Sequence, residues 1–81
     1  MSVHASDVLE AVQALQEAGI PPICAAVAWV LAGGKPASAH LINNVRATIY
    51  VMVGKRQLRA VGRVPGRRGG QSPRYYHVVA R

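Results

Sequence analysis

Residues 58–80, LRAVGRVPGRRGGQSPRYYHVVA, are where the chain changes period. Leu58, Ala60, Gly62 and Val64 alternate with Arg59, Val61 and Arg63, which predicts a strand with one wet face. Residues 65–73, PGRRGGQSP, read as a loop by composition. Arg74-Tyr75-Tyr76-His77-Val78-Val79-Ala80 then reads as a second strand. Strands over about 58–64 and 74–80 joined by that loop make a β-hairpin with a long, cationic tip. Neighbouring strand residues face opposite ways, so one of Tyr75 and Tyr76 points into the core and the other out.

Upstream of the hairpin the spacing is helical. Ser6 is the expected N-cap of a first helix over about 7–18, with Asp7 and Glu10 in its first turn, where the helix dipole favours acids. Val8, Leu9, Val12, Leu15 and Ala18 supply its apolar stripe, Gly19 closes it, and its acids form a solvated face. Pro21-Pro22 open a second helix over about 22–32, which Gly33-Gly34 end. That helix is apolar nearly all round, which predicts the centre of the core with Trp29 as its largest burial. The alternative for Trp29 is an exposed anchor for a partner. Cys24, with no cation or His nearby in sequence, reads as a small buried hydrophobe and not as a reactive thiol.

After the turn Lys35-Pro36-Ala37, Ser38 is a good N-cap for a third helix over about 39–53 that Gly54 closes. Leu41, Val45, Thr48, Ile49 and Met52 fall on one face. His40, Asn43, Ala47 and Tyr50 fall roughly opposite, with Ala39 and Arg46 at the edge. Residues 48–53, TIYVMV, favour strand by propensity, but the five-position stripe favours helix. The expected fold is therefore α+β and mostly α: one domain, a three-helix core and a C-terminal hairpin.

Composition limits what such a domain does. The chain has 81 residues, 51% of them apolar, enough to drive folding but near the lower end for a self-sufficient core. A single cysteine rules out an internal disulfide and a multi-cysteine zinc site, so a homodimer is the expected source of extra stability. No basic region precedes an apolar run at the start, which predicts a cytoplasmic protein. The apolar stretch 20–34 is shorter than a bilayer span and is bounded by prolines and glycines, so no membrane role is expected. No carboxylate follows Glu17, His4, His40 and His77 are far apart without acidic partners, and no phosphate-binding loop is present. An enzyme, a metal, a cofactor and a small-molecule ligand are accordingly not expected.

Charge points to a different class. Residues 1–34 hold all three acids and no Lys or Arg; residues 35–81 hold all ten cations and no acid. Arg outnumbers Lys eight to two, and the planar guanidinium pairs well with phosphate or guanine. Unopposed cations of this kind suit phosphate neutralisation and counterion release. The pair Arg67-Arg68 between glycines is the strongest candidate contact, because a bare backbone can approach a groove closely.

The order helix, helix, turn, helix, basic hairpin resembles the winged helix-turn-helix superfamily of DNA-binding domains. Val45 to Val79 carries the likeness: a helix ending at Gly54, then Lys55-Arg56-Gln57-Leu58-Arg59-Ala60-Val61-Gly62-Arg63, a Gly/Arg loop, and Tyr75-Tyr76-His77-Val78-Val79. The turn from Gly33 to Ser38 is longer than in the simplest helix-turn-helix. The resemblance implies a third helix in the major groove, with His40, Asn43, Arg46, Ala47 and Tyr50 at base-reading positions. It implies a wing on the backbone or in the minor groove through Arg63, Arg67, Arg68 and Arg74. Lys35 and Ser38 before that helix, and Lys55 and Arg56 after it, complete the expected DNA-binding set. The expected function is a small bacterial or phage transcriptional regulator on duplex DNA. Two alternatives stay open: a winged-helix module that self-assembles or docks on an acidic partner, and an RNA or single-strand binder using Tyr75 or Tyr76 with the arginines.

Overall fold

The computed structural model describes residues 3–64 and 72–79. The chain folds as α1 (Ala5–Glu17), α2 (Cys24–Leu31), α3 (Ala39–Gly54), β1 (Leu58–Arg63) and β2 (Arg74–Val78). The strands pair antiparallel, so the fold is α+β and mostly helical, with the hairpin packed at the end of a three-helix body. None of the described helices is long and apolar enough to cross a membrane.

One residue outside the strands is bridged to the two-stranded sheet. Ile23 forms an antiparallel bridge with Tyr75, and the Tyr76 N–H donates to the Pro22 carbonyl at 3.2 Å. This overturns the expected start of the second helix at Pro22. Ile23, the N-cap, keeps extended β geometry and faces Tyr75 across the bridge. The Pro22 carbonyl is taken by the hairpin and the Ile23 N–H donates to the Pro21 carbonyl at 2.8 Å, so α2 begins only at Cys24.

The core is built from one face of each element. Val8, Ala11, Val12 and Leu15 of α1 meet Val27 and Ala28 of α2 and Val45, Ile49 and Met52 of α3. Leu58 and Tyr76 close it from the hairpin. The stripe expected on α3 is the buried one, and residues 48–53 are helical despite their β-branched side chains. Burial of Ile49 and Met52 outweighs a propensity difference of a few tenths of a kcal/mol per residue. The Thr48 hydroxyl donates to the Asn44 carbonyl at 2.9 Å, absorbing its polar atom within the helix.

Trp29 is not the largest burial; it is 51% exposed. Only Val27 and Ala28 of this eight-residue helix are fully inside, so most of its apolar surface stays at least partly open. The indole rests near Gly34, where a Cβ would come within 3.5 Å of Cζ2.

Helix ends also differ from expectation. Ser6 is not the N-cap: α1 starts at Ala5 after His4, and no side chain caps it. Ser38 does cap α3, accepting the Leu41 N–H at 3.1 Å. α1 and α2 finish on left-handed glycines, Gly19 at φ 74° and Gly33 at φ 75°. Gly54, expected to close α3, is its last helical residue, and the left-handed position falls to Arg56 at φ 61°.

The hairpin carries a bulge that its alternation did not reveal. Ala60 faces Tyr76 and Gly62 faces Tyr75, so Val61 is an extra residue. Leu58 remains buried, but Ala60 is exposed, and Gly62 now lies under the Tyr75 ring and no longer on the Leu58 face. The shift brings Arg63 opposite Arg74, on the Tyr76 side of the ribbon.

Candidate nucleic-acid interface

The exposed face of α3 is the first component. His40, Asn43, Ala47 and Tyr50 are all exposed, as their phase against Val45, Ile49 and Met52 requires. From His40 to Tyr50 this face runs about 15 Å at 1.5 Å per residue. Arg46 is tied to it: its Nη1 donates to Asn43 Oδ1 at 3.0 Å. That bond orients the guanidinium and occupies one of the two lone pairs of the Asn43 oxygen, leaving the amide nitrogen free to donate.

The second component is an open cleft of about 570 Å³ between the start of α2, α3 and the hairpin. Arg46, Arg63 and Arg74 line it with Tyr50, Tyr76 and Cys24. Each arginine comes from a different element: α3 supplies the first, β1 the second and β2 the third. The bulge at Val61 is the reason Arg63 faces this way. Arg63 Nη1 donates to the Ser72 carbonyl at 2.8 Å, which anchors the guanidinium where the hairpin leaves β1.

The remaining expected positions are spread out. Lys35 is exposed in the turn before α3, and Ser38 uses its hydroxyl for the cap. Lys55 and Arg56 are exposed at the far end of α3 and do not line the cleft. Arg67 and Arg68 lie outside the described residues. Tyr76 is the inward tyrosine and is 5% exposed, and burial pushes its hydroxyl above the ordinary tyrosine range. Tyr75 faces the other way, edge-on to His77 with ring centres 5.6 Å apart, and Arg59 pairs with His77 across the hairpin.

Sequence reasoning missed two participants. Cys24 and Ala25 line the cleft because the Ile23–Tyr75 bridge swings the start of α2 against the hairpin. Cys24 is half-buried, not fully buried, and the fold gives it the cation that its sequence neighbours lack, Arg46. Burial pushes its thiol up, and Arg46 offsets only part of that, so the thiol is not activated. One-dimensional spacing holds no signal for a meeting between positions 24, 46 and 74.

Acids are kept elsewhere. Asp7, Glu10 and Glu17 all belong to α1, and the first two edge a separate groove between α1 and α2 with Val30 and Leu31. Among the described residues no three of His, Cys, Asp and Glu come together to hold a metal ion. Comparison with protein-family models, curated proteins and solved structures gives no match.

Proposed function

We propose that this chain binds duplex DNA in the manner of a winged helix-turn-helix domain, as a small transcriptional regulator. In this account α3 enters the major groove and the hairpin lies on the backbone or in the minor groove. One observation carries it: the fold turns a sequence-level charge division into a spatial one. The acids sit on α1, while α3 and the hairpin present arginines beside a helix face free of acids. A major groove about 12 Å wide admits a helix whose outward side chains are short or flat, such as Asn43, Ala47 and Tyr50. Arg46, Arg63 and Arg74, which share one cleft, then neutralise a flanking phosphate.

Asn43 and Arg46 act as one reading unit. The Asn43 amide can donate to a base edge while its oxygen steadies Arg46, whose remaining N–H groups suit guanine or phosphate. A second reading is favoured by Tyr75, His77 and Arg59 on the outer face of the hairpin, a stacking surface with a cation beside it.

Selection from a random duplex library, with single-stranded DNA and RNA as competitors, tests the proposal. The expected result is an enriched duplex sequence that outcompetes random duplex by at least about a thousandfold. Asn43→Ala should change preference at one or two positions. Equal affinity for all duplexes, or displacement by RNA at equal concentration, contradicts it.

A further inference from the structure

The arginines of the cleft surround the start of a helix. α2 begins after Ile23 with no side-chain cap and no acid in its first turn. The first N–H groups of any helix lack intrahelical partners, and that end carries about half a positive charge. Cys24 and Ala25, whose amides are among those groups, share the cleft with Arg46, Arg63 and Arg74. Three full positive charges and a helix N-terminus thus line one cleft, while all three acids of the chain are on α1.

Arg46 donates to Asn43 Oδ1 and lies against the Cys24 thiol, and Arg63 donates to the Ser72 carbonyl, all of them neutral partners. These fix the guanidinium groups without cancelling their charge. An anion in the cleft meets donors arriving from α2, α3, β1 and β2. Tyr50, 61% exposed, borders the same space and offers a ring for stacking.

We propose that this cleft is a seat for one phosphate ester of a nucleotide, held by Arg46, Arg63 and Arg74 with the α2 amides, its base resting on Tyr50. The seat rests on the nucleic-acid reading of the same face and adds a defined phosphate position to it. Its ligand is a backbone phosphodiester or a free mononucleotide, since both bring the same group. A cleft of about 570 Å³ is within the size range that holds small molecules. Guanidinium forks favour phosphate over a simple halide because two parallel N–H groups match two oxygens.

The test is a titration of the ¹⁵N-labelled chain with adenosine 5′-monophosphate, inorganic phosphate and a random duplex, in separate arms. The seat predicts saturable shifts of the Cys24 and Ala25 amides and of the Arg46, Arg63 and Arg74 side-chain N–H groups. Arg74→Ala should weaken mononucleotide binding by roughly tenfold, the loss of one charge-assisted contact. Arg59→Ala removes the same charge from the opposite face of the hairpin and should change it less than about twofold. Unchanged Ile49 and Met52 amide signals will show that both variants remain folded.

Equal losses in the two variants, or shifts scattered over all cations, overturn the seat. Duplex binding that leaves the Cys24 and Ala25 signals unmoved overturns it too, while leaving the DNA-binding proposal standing. Mononucleotide binding in the cleft without any duplex binding upholds the seat and removes that proposal. Displacement of the mononucleotide by duplex upholds both and identifies the backbone as the source.

Discussion

Arg56 holds the left-handed position where α1 and α2 use glycine. Its N–H donates to the Val53 carbonyl and that of Gln57 to Met52, so the closing motif is complete despite the side chain. Left-handed backbone costs a residue with a Cβ about 1 kcal/mol. Arg56→Gly should raise stability by roughly 0.5–1 kcal/mol in thermal or denaturant unfolding. If Arg56 touches phosphate, the same change weakens DNA binding, a trade expected of strain kept for function. Cys24 gives a second prediction at this scale. Its raised pKa means that the folded chain holds the thiol proton more tightly than the unfolded chain does. Its contribution to stability is present below the unfolded pKa, about 8.5, and is lost as pH rises through the folded value. At pH 8, iodoacetamide should therefore modify Cys24 more slowly in the native chain than in urea. Equal rates would show that burial does not protect it. Single residues were legible only where chemistry is local. Ser38 followed by a helix marks a cap, whereas the outward turn of Trp29 depends on which side of α2 its neighbours leave uncovered.

Elements were easier to read than their junctions. α3 was evident from Leu41, Val45, Ile49 and Met52, and the outward phase of His40, Asn43, Ala47 and Tyr50 followed from it. Ile49→Ala should cost about 2–5 kcal/mol, because Ile49 is wholly buried where all three helices and the hairpin meet. Urea unfolding measures that loss; a cost below 1 kcal/mol would mean the core is not centred there. The hairpin shows the opposite case. Alternation of Leu58, Ala60 and Gly62 cannot disclose that Val61 is extra, since a bulge leaves local composition unchanged and shows only in the partner strand's register. Nor did the sequence announce how the hairpin is fastened. The Val78 N–H donates to Gln16 Oε1 of α1 at 3.1 Å, a contact across 62 residues. Gln16→Ala should speed hydrogen exchange at the Val78 amide while leaving that of Ile49 slow, because a lost exposed hydrogen bond of about 1 kcal/mol opens the edge locally.

For the whole molecule, the division of charge was plain in the sequence and the cleft was not. Positions 46, 63 and 74 are brought together by α3 phase, the Val61 bulge and the Ile23–Tyr75 bridge acting at once. Of these three, only the phase could be read in advance. At the base of the hairpin, Arg63 and Arg74 stand opposite one another and share the cleft with Arg46. Affinity should then depend on the triple variant Arg46→Ala/Arg63→Ala/Arg74→Ala more than on any exposed residue of α1. The decisive measurement is the salt dependence of duplex binding by the native chain and this triple variant. Each phosphate neutralised contributes about −0.9 to the slope of log K against log salt concentration. The native slope should be steeper than about −3, and the variant slope shallower by about 1, for the one phosphate that the three arginines hold together. No duplex binding at about 50 mM salt, or equal slopes for the two proteins, would contradict the account.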